Sequence, residues 1–140
     1  MTTKSTSLRV VGVLALAWNL IGVAMFWIQM NLTPEQLAQF TEAQRQVYEA
    51  TPGWLNIVYG VAVLAGVFGA IGLLLRRRWA VPLFLLSLLA VLVQVAGAFT
   101  LTPAWSAYGV AGLVMPAIVL LVALLLWRYA HRAAARGALG

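Results

Sequence analysis

Arg76-Arg77-Arg78 stands between two apolar runs, residues 54–75 and 79–100, and the reading of these three charges decides the fold. An arginine at the centre of a lipid-embedded helix costs roughly +2.5 to +3.5 kcal/mol on translocon scales, so the triplet belongs at a water surface. The flanking runs of about 20 residues are long enough, as helices, to cross a hydrocarbon core of roughly 30 Å. Lys and Arg near the ends of spans are retained on the cytoplasmic side, so the triplet also orients every other segment.

The composition agrees. Of 140 residues, 64% are hydrophobic and 9% charged, and the mean hydropathy is +0.96. A soluble domain of this size could not cover so much apolar surface, which points to one integral membrane domain over residues 1–140. Cysteine is absent, which removes disulfides, thiolate metal sites and Cys nucleophiles. A net charge of +6 would suggest nucleic acid in a soluble protein. Here the basic residues Lys4, Arg9, Arg76, Arg77, Arg78, Arg128, Arg132 and Arg136 flank apolar runs instead, with no interleaved aromatic surface. The expected electrostatic partners are lipid headgroups, not nucleic acid.

Four spans are expected, over residues 8–30, 54–75, 79–100 and 107–127, followed by a basic cytoplasmic tail at 128–140. The first run competes with a signal peptide, since Lys4 and Arg9 supply a positive start and Ala15 and Ala17 are small, but its length favours a span. Between the first two spans, residues 34–50 read as one amphipathic helix. Thr33 caps it, Pro34 fits its first turn, Gln36 completes a capping box and Pro52-Gly53 stops it. Leu37, Phe40, Ala43, Val47 and Tyr48 share its apolar side, so it should lie along the membrane surface. With both termini and the triplet inside, the outer face holds Glu35, Glu42, Glu49 and Arg45, and the inner face holds basic residues only. The fold class is an all-α, four-span, up-down membrane bundle.

Small or polar residues recur at spacings of three and four along the spans, as close helix packing requires. They are Gly12, Ala15, Asn19 and Gly22 in the first; Ala62, Ala65, Gly66, Gly69 and Gly72 in the second; Ser87, Ala90, Gln94 and Gly97 in the third; and Gly109 and Gly112 in the fourth. Pro116, inside the fourth, is expected to kink it. Asn19 and Gln94 are amides well inside spans and should face the bundle, because an unpaired amide in lipid is costly. At about 1.5 Å per residue, Gln94 lies some 8 to 9 Å farther out than Asn19 and closer to the depth of Tyr59. Inter-helix hydrogen bonds account for these amides one at a time, whereas Asn19, Tyr59 and Gln94 together suit a neutral, hydroxyl-bearing solute.

The chemistry that is missing narrows the function. No Asp, Glu, Lys or His lies inside a span, so an intramembrane proton relay has no carrier. His131 is the single histidine, which leaves haem ligation, zinc chemistry and a Ser-His-acid triad short of residues. Neither an enzyme nor a cofactor or metal site is expected.

Four blocks carry a resemblance: Trp18-Asn-Leu-Ile-Gly22, the outer segment from Thr33-Pro-Glu to Tyr48-Glu-Ala-Thr-Pro-Gly-Trp54, Arg76-Arg-Arg-Trp-Ala-Val-Pro-Leu83 with its continuation to Gln94, and Gly112-Leu-Val-Met-Pro116. Across most of its length the chain resembles a group of small bacterial four-span inner-membrane proteins often labelled "sugar transporter". The resemblance implies a bacterial inner-membrane location and a transport role, and brings no binding residues with it. Two functions remain open. One is a passive conduit for a small neutral solute, which four short helices would complete only as a homo-oligomer. The other is a non-catalytic scaffold or accessory subunit that packs against other membrane proteins.

Overall fold

A computed structural model describes residues 2–140, with side chains from residue 6 onward; Met1 and the side chain of Lys4 lie outside the described residues. Of the described chain 85% is helical, with no strand. The helices are α1 (Thr2–Met30), α2 (Pro34–Ala38), α3 (Glu42–Ala50), α4 (Gly53–Leu74), α5 (Ala80–Leu101), α6 (Ala104–Tyr108) and α7 (Val114–Ala135), with a 3-10 turn over Gly109–Leu113. Four stretches, Thr6–Met30, Gly53–Leu74, Ala80–Leu101 and Ala104–Ala135, are long and apolar enough to cross a membrane. The protein is therefore a multi-pass helical bundle.

The long helices pack in chain order: α1 on α4, α4 on α5 and α5 on α7. At the end of the bundle that carries the arginine turn, α1 also meets α7, where the Ser7 and Tyr129 hydroxyls lie 2.5 Å apart. That end holds the main core, in which Leu8, Ala70, Leu73, Ala80, Phe84, Ala130 and Ala133 pack together with Leu139. Along the rest of their length α1 and α7 form no comparable face.

Two helix ends build the arginine turn. At the end of α4, Arg77 N–H donates to the Gly72 carbonyl (2.8 Å) and Arg76 N–H to that of Leu73 (3.1 Å), while Arg76 takes φ 57°. This is a Schellman stop with arginine at the left-handed position. α7 ends the same way: Ala138 N–H reaches the Ala133 carbonyl (2.9 Å), Gly137 N–H that of Ala134 (3.0 Å), and Gly137 has φ 75°. The segment beyond α7 then folds onto the turn, as Gly140 N–H donates to the Arg76 carbonyl (2.7 Å) and Arg78 N–H to that of Gly140 (2.9 Å). Arg78 Nε donates to the Leu139 carbonyl at 3.2 Å. The expected basic tail at 128–140 is thus mostly the last turns of α7 plus a docked strap. Alanine at 137 meets no neighbour within 4 Å but must hold a left-handed backbone, so Gly137→Ala should cost about 1 kcal/mol, read as a lowered melting temperature. Gly53→Ala, at the open start of α4, should leave it unchanged.

Three expectations are corrected. Residues 34–50 form two short helices, because Thr41 and Gln44 make a second capping box eight residues after the first: Gln44 N–H donates to Thr41 Oγ1 and Thr41 N–H to Gln44 Oε1. The fourth span, Ala104–Ala135, contains the expected 107–127 but is not one regular helix; it starts as α6, passes through the 3-10 turn and becomes regular at Val114. Pro116 therefore does not kink a helix. It lies in the first turn of α7, where backbone N–H groups have no intrahelical acceptor and the ring clashes with nothing.

Candidate functional site

The small-residue seam is a packing surface in three of the four spans. A Cβ added at Gly12 would sit 2.6 Å from Leu74 Cδ2, at Gly22 3.1 Å from a Val63 methyl, at Gly69 2.9 Å from the Phe84 ring, at Gly72 2.7 Å from Trp79 and at Gly97 2.7 Å from Leu55. Ala15, Ala62, Ala65 and Ala90 are buried in the same contacts. Gly109 and Gly112 do not share this role. Gly109 has φ 62° and open space around it, and Gly112 meets only the Tyr108 side chain one turn earlier in its own segment. Their function is to let the chain turn between α6 and α7.

Asn19 is buried, and its Nδ2 donates to the Ala15 carbonyl of its own helix at 2.8 Å. Its Oδ1 occupies the space over Gly66 that a side chain there would need. The hydrogen bond of this amide thus stays within its own helix. Ser87 makes the inter-helix bond instead, its hydroxyl donating to the Ala62 carbonyl of α4 at 2.7 Å. Tyr59 packs edge-on against Phe26 with centroids 5.1 Å apart. Asn19, Tyr59 and Ser87 all line one cavity of about 260 Å³ at mid-bundle, bounded by α1, α4, α5 and α7. Gln94 is not part of its wall, so the expected trio is only two-thirds assembled. The rest of the wall is apolar, including Val63, Phe84, Val91, Val119 and Leu126.

A second pocket, of about 580 Å³, opens at the opposite end from the arginine turn. The last turns of α1 provide Met25, Ile28 and Gln29, while α2, α3 and their connections provide Gln36, Gln39, Phe40, Gln44, Val47, Tyr48 and Thr51. Tyr108 closes it from α6. The helix caps orient two of these amides: Gln36 Oε1 accepts from Thr33 N–H (2.9 Å) and Gln44 Oε1 from Thr41 N–H (3.0 Å). No charged side chain lines the pocket; Glu35, Glu42, Arg45 and Glu49 are exposed elsewhere on the same segment. Four uncharged amides, two phenols and a threonine make a surface for a neutral hydrogen-bonding ligand. A single long helix over 34–50 with Leu37, Phe40, Ala43, Val47 and Tyr48 on its apolar side leaves Gln39 off that side, which hides this set. The signal that would have found it is Thr41-Glu-Ala-Gln44, a second capping box eight residues after Thr33-Pro-Glu-Gln36.

Among the described residues no three His, Asp or Glu side chains gather as a metal site. No protein family, curated relative or solved structure matches this chain. Its role is therefore argued from the geometry.

Proposed function

We propose that this chain is a non-catalytic protein of a bacterial inner membrane, with its termini and arginine turn cytoplasmic, that binds a small neutral hydroxyl-bearing solute such as a sugar and passes it down its gradient. The observation that supports this is the uncharged pocket at the end opposite the arginines, where Gln29, Gln36, Gln39 and Gln44 converge. Hydroxyl groups can both donate to and accept from such amides, and the aromatic rings of Tyr48 and Tyr108 offer flat apolar contact. A charged solute would find no counter-ion there. Within one copy the polar lining stops at the apolar mid-bundle cavity, so passage requires α7 to move or a second copy to complete the path.

Flux of labelled sugars and polyols into proteoliposomes tests this reading. Uptake should exceed that of empty vesicles and fall at least fivefold in Gln39→Leu, the loss of about one net hydrogen bond. Flux equal to that of empty vesicles for every solute would remove the proposal.

One observation favours an accessory subunit as the second reading: only 6% of the most apolar window of the fourth span is buried, against 44% in the second. Val114, Ile118, Leu121 and Leu125 all face outward from α7. A stable complex with another membrane protein through that face, together with no flux, would establish it.

A further inference from the structure

The two cavities meet at one residue. Met25 lines both the outer amide pocket and the mid-bundle cavity, so a polar compartment near the interface adjoins an apolar one at membrane depth. We propose that together they hold one amphiphile taken from the bilayer, its neutral hydroxyl-rich head among the glutamines and its apolar chain in the cavity between α1 and α7. The inference rests on the outer binding site proposed above and names the class of its ligand.

The chemistry of each compartment selects one end of such a molecule. Gln36 and Gln44 spend their oxygens on the backbone of Thr33 and Thr41, which leaves their NH₂ groups to donate to a ligand's hydroxyl oxygens. A phosphate head would enter a pocket with no cation in its wall and lose hydration without a charge partner. The lower cavity makes the opposite demand. Asn19 Nδ2 and the Ser87 hydroxyl already donate to Ala15 and Ala62, and Tyr59 is the one other hydroxyl in an otherwise apolar wall, so a sugar placed there would give up more water hydrogen bonds than these three side chains replace. A hydrocarbon chain gives up none. At about 260 Å³ the space exceeds the roughly 150 Å³ cavity that accepts benzene in a protein core.

The route of access points to lipid. Ile21 and Met25 of α1 and Met115 of α7 line the cavity yet are 62%, 56% and 58% exposed. They form a mouth between two helices that do not pack against each other at that level, and at membrane depth whatever enters comes from the acyl-chain region.

The full chain in phosphatidylcholine vesicles, titrated with an alkyl glucoside brominated in its chain, provides the test. Trp18 lines the cavity, so the fluorescence difference between the unaltered chain and Trp18→Phe reports bromine inside it. Quenching of Trp18 should saturate at low mole fraction, weaken about fivefold in Gln39→Leu, and disappear in Ala123→Phe, which fills the cavity from α7. Val119→Phe repeats that arm if Ala123→Phe does not reconstitute. Equal quenching by brominated phosphatidylcholine would mean that any lipid chain fills the space, and overturns the proposal. Free glucose binding as tightly as the glucoside, with no effect of Ala123→Phe or Val119→Phe, also overturns it while leaving the outer site standing. No saturable binding of glucose or glucoside removes both.

Discussion

Gly66→Ala should destabilise the protein by about 1–3 kcal/mol or more, although it adds a single methyl group to a helix that otherwise favours alanine. The new Cβ would fall on the side-chain amide of Asn19. Swinging that amide aside into the cavity it lines breaks its Nδ2 bond to the Ala15 carbonyl. The alternative is for α1 and α4 to separate, which also lifts Gly22 from Val63 and Gly12 from Leu74. Melting followed by circular dichroism in mild detergent measures the loss. The double variant Gly66→Ala, Asn19→Ala should recover most of it, since alanine at 19 vacates the contested space. Additive losses in that cycle would show that the methyl group meets something else.

Phe84→Ala should cost about 2–3 kcal/mol. This is less than the 3–5 kcal/mol usual for a water-soluble core, because lipid tails are as apolar as the helix interface and only the lost packing counts. The ring is 1% exposed, lies against Gly69 at a distance that admits no side chain there, and forms part of the cavity wall. Its removal would merge a packing void with the cavity and loosen α4 from α5. Phe84→Leu, which keeps most of the contact, should lose less than half as much. A Phe84→Ala protein that melts with the unaltered one would show that the α4–α5 face does not depend on this ring.

The spans were legible because lipid imposes a length and a hydrophobicity that few other sequences meet. The seam was legible because a helix can approach another closely only over glycine, alanine or serine. Gly12, Gly22, Gly69, Gly72 and Gly97 show this at five separate contacts. The same rule misled at Gly109 and Gly112, where small size serves chain reversal, and spacing alone does not separate the two uses. Pro116 was misplaced for a related reason: proline disfavours helix before it, and whether that yields a bend or a fresh start depends on what the preceding residues can do. With Gly109 and Gly112 available, the helix starts afresh. Asn19 lies at the buried face as expected, but its hydrogen bond stays in its own helix instead of crossing to another, since a carbonyl four residues back is always within reach and a neighbouring helix is not. Gln94 had no cue beyond its depth. The outer pocket stayed hidden because one helix and two short ones share the same apolar period, and only the second capping box distinguishes them.

The order of packing has a consequence for how the chain is made. Each long helix leans on the one synthesised before it: α4 on α1, α5 on α4, α7 on α5. Every contact face is therefore already waiting in the membrane when its partner leaves the ribosome, and no early helix has to be held apart for a late one. The pairing of first with last, the step that would seal a ring, is the one this bundle largely omits. Assembly can finish with one side still ajar, so the mouth between α1 and α7 needs no later step to open it.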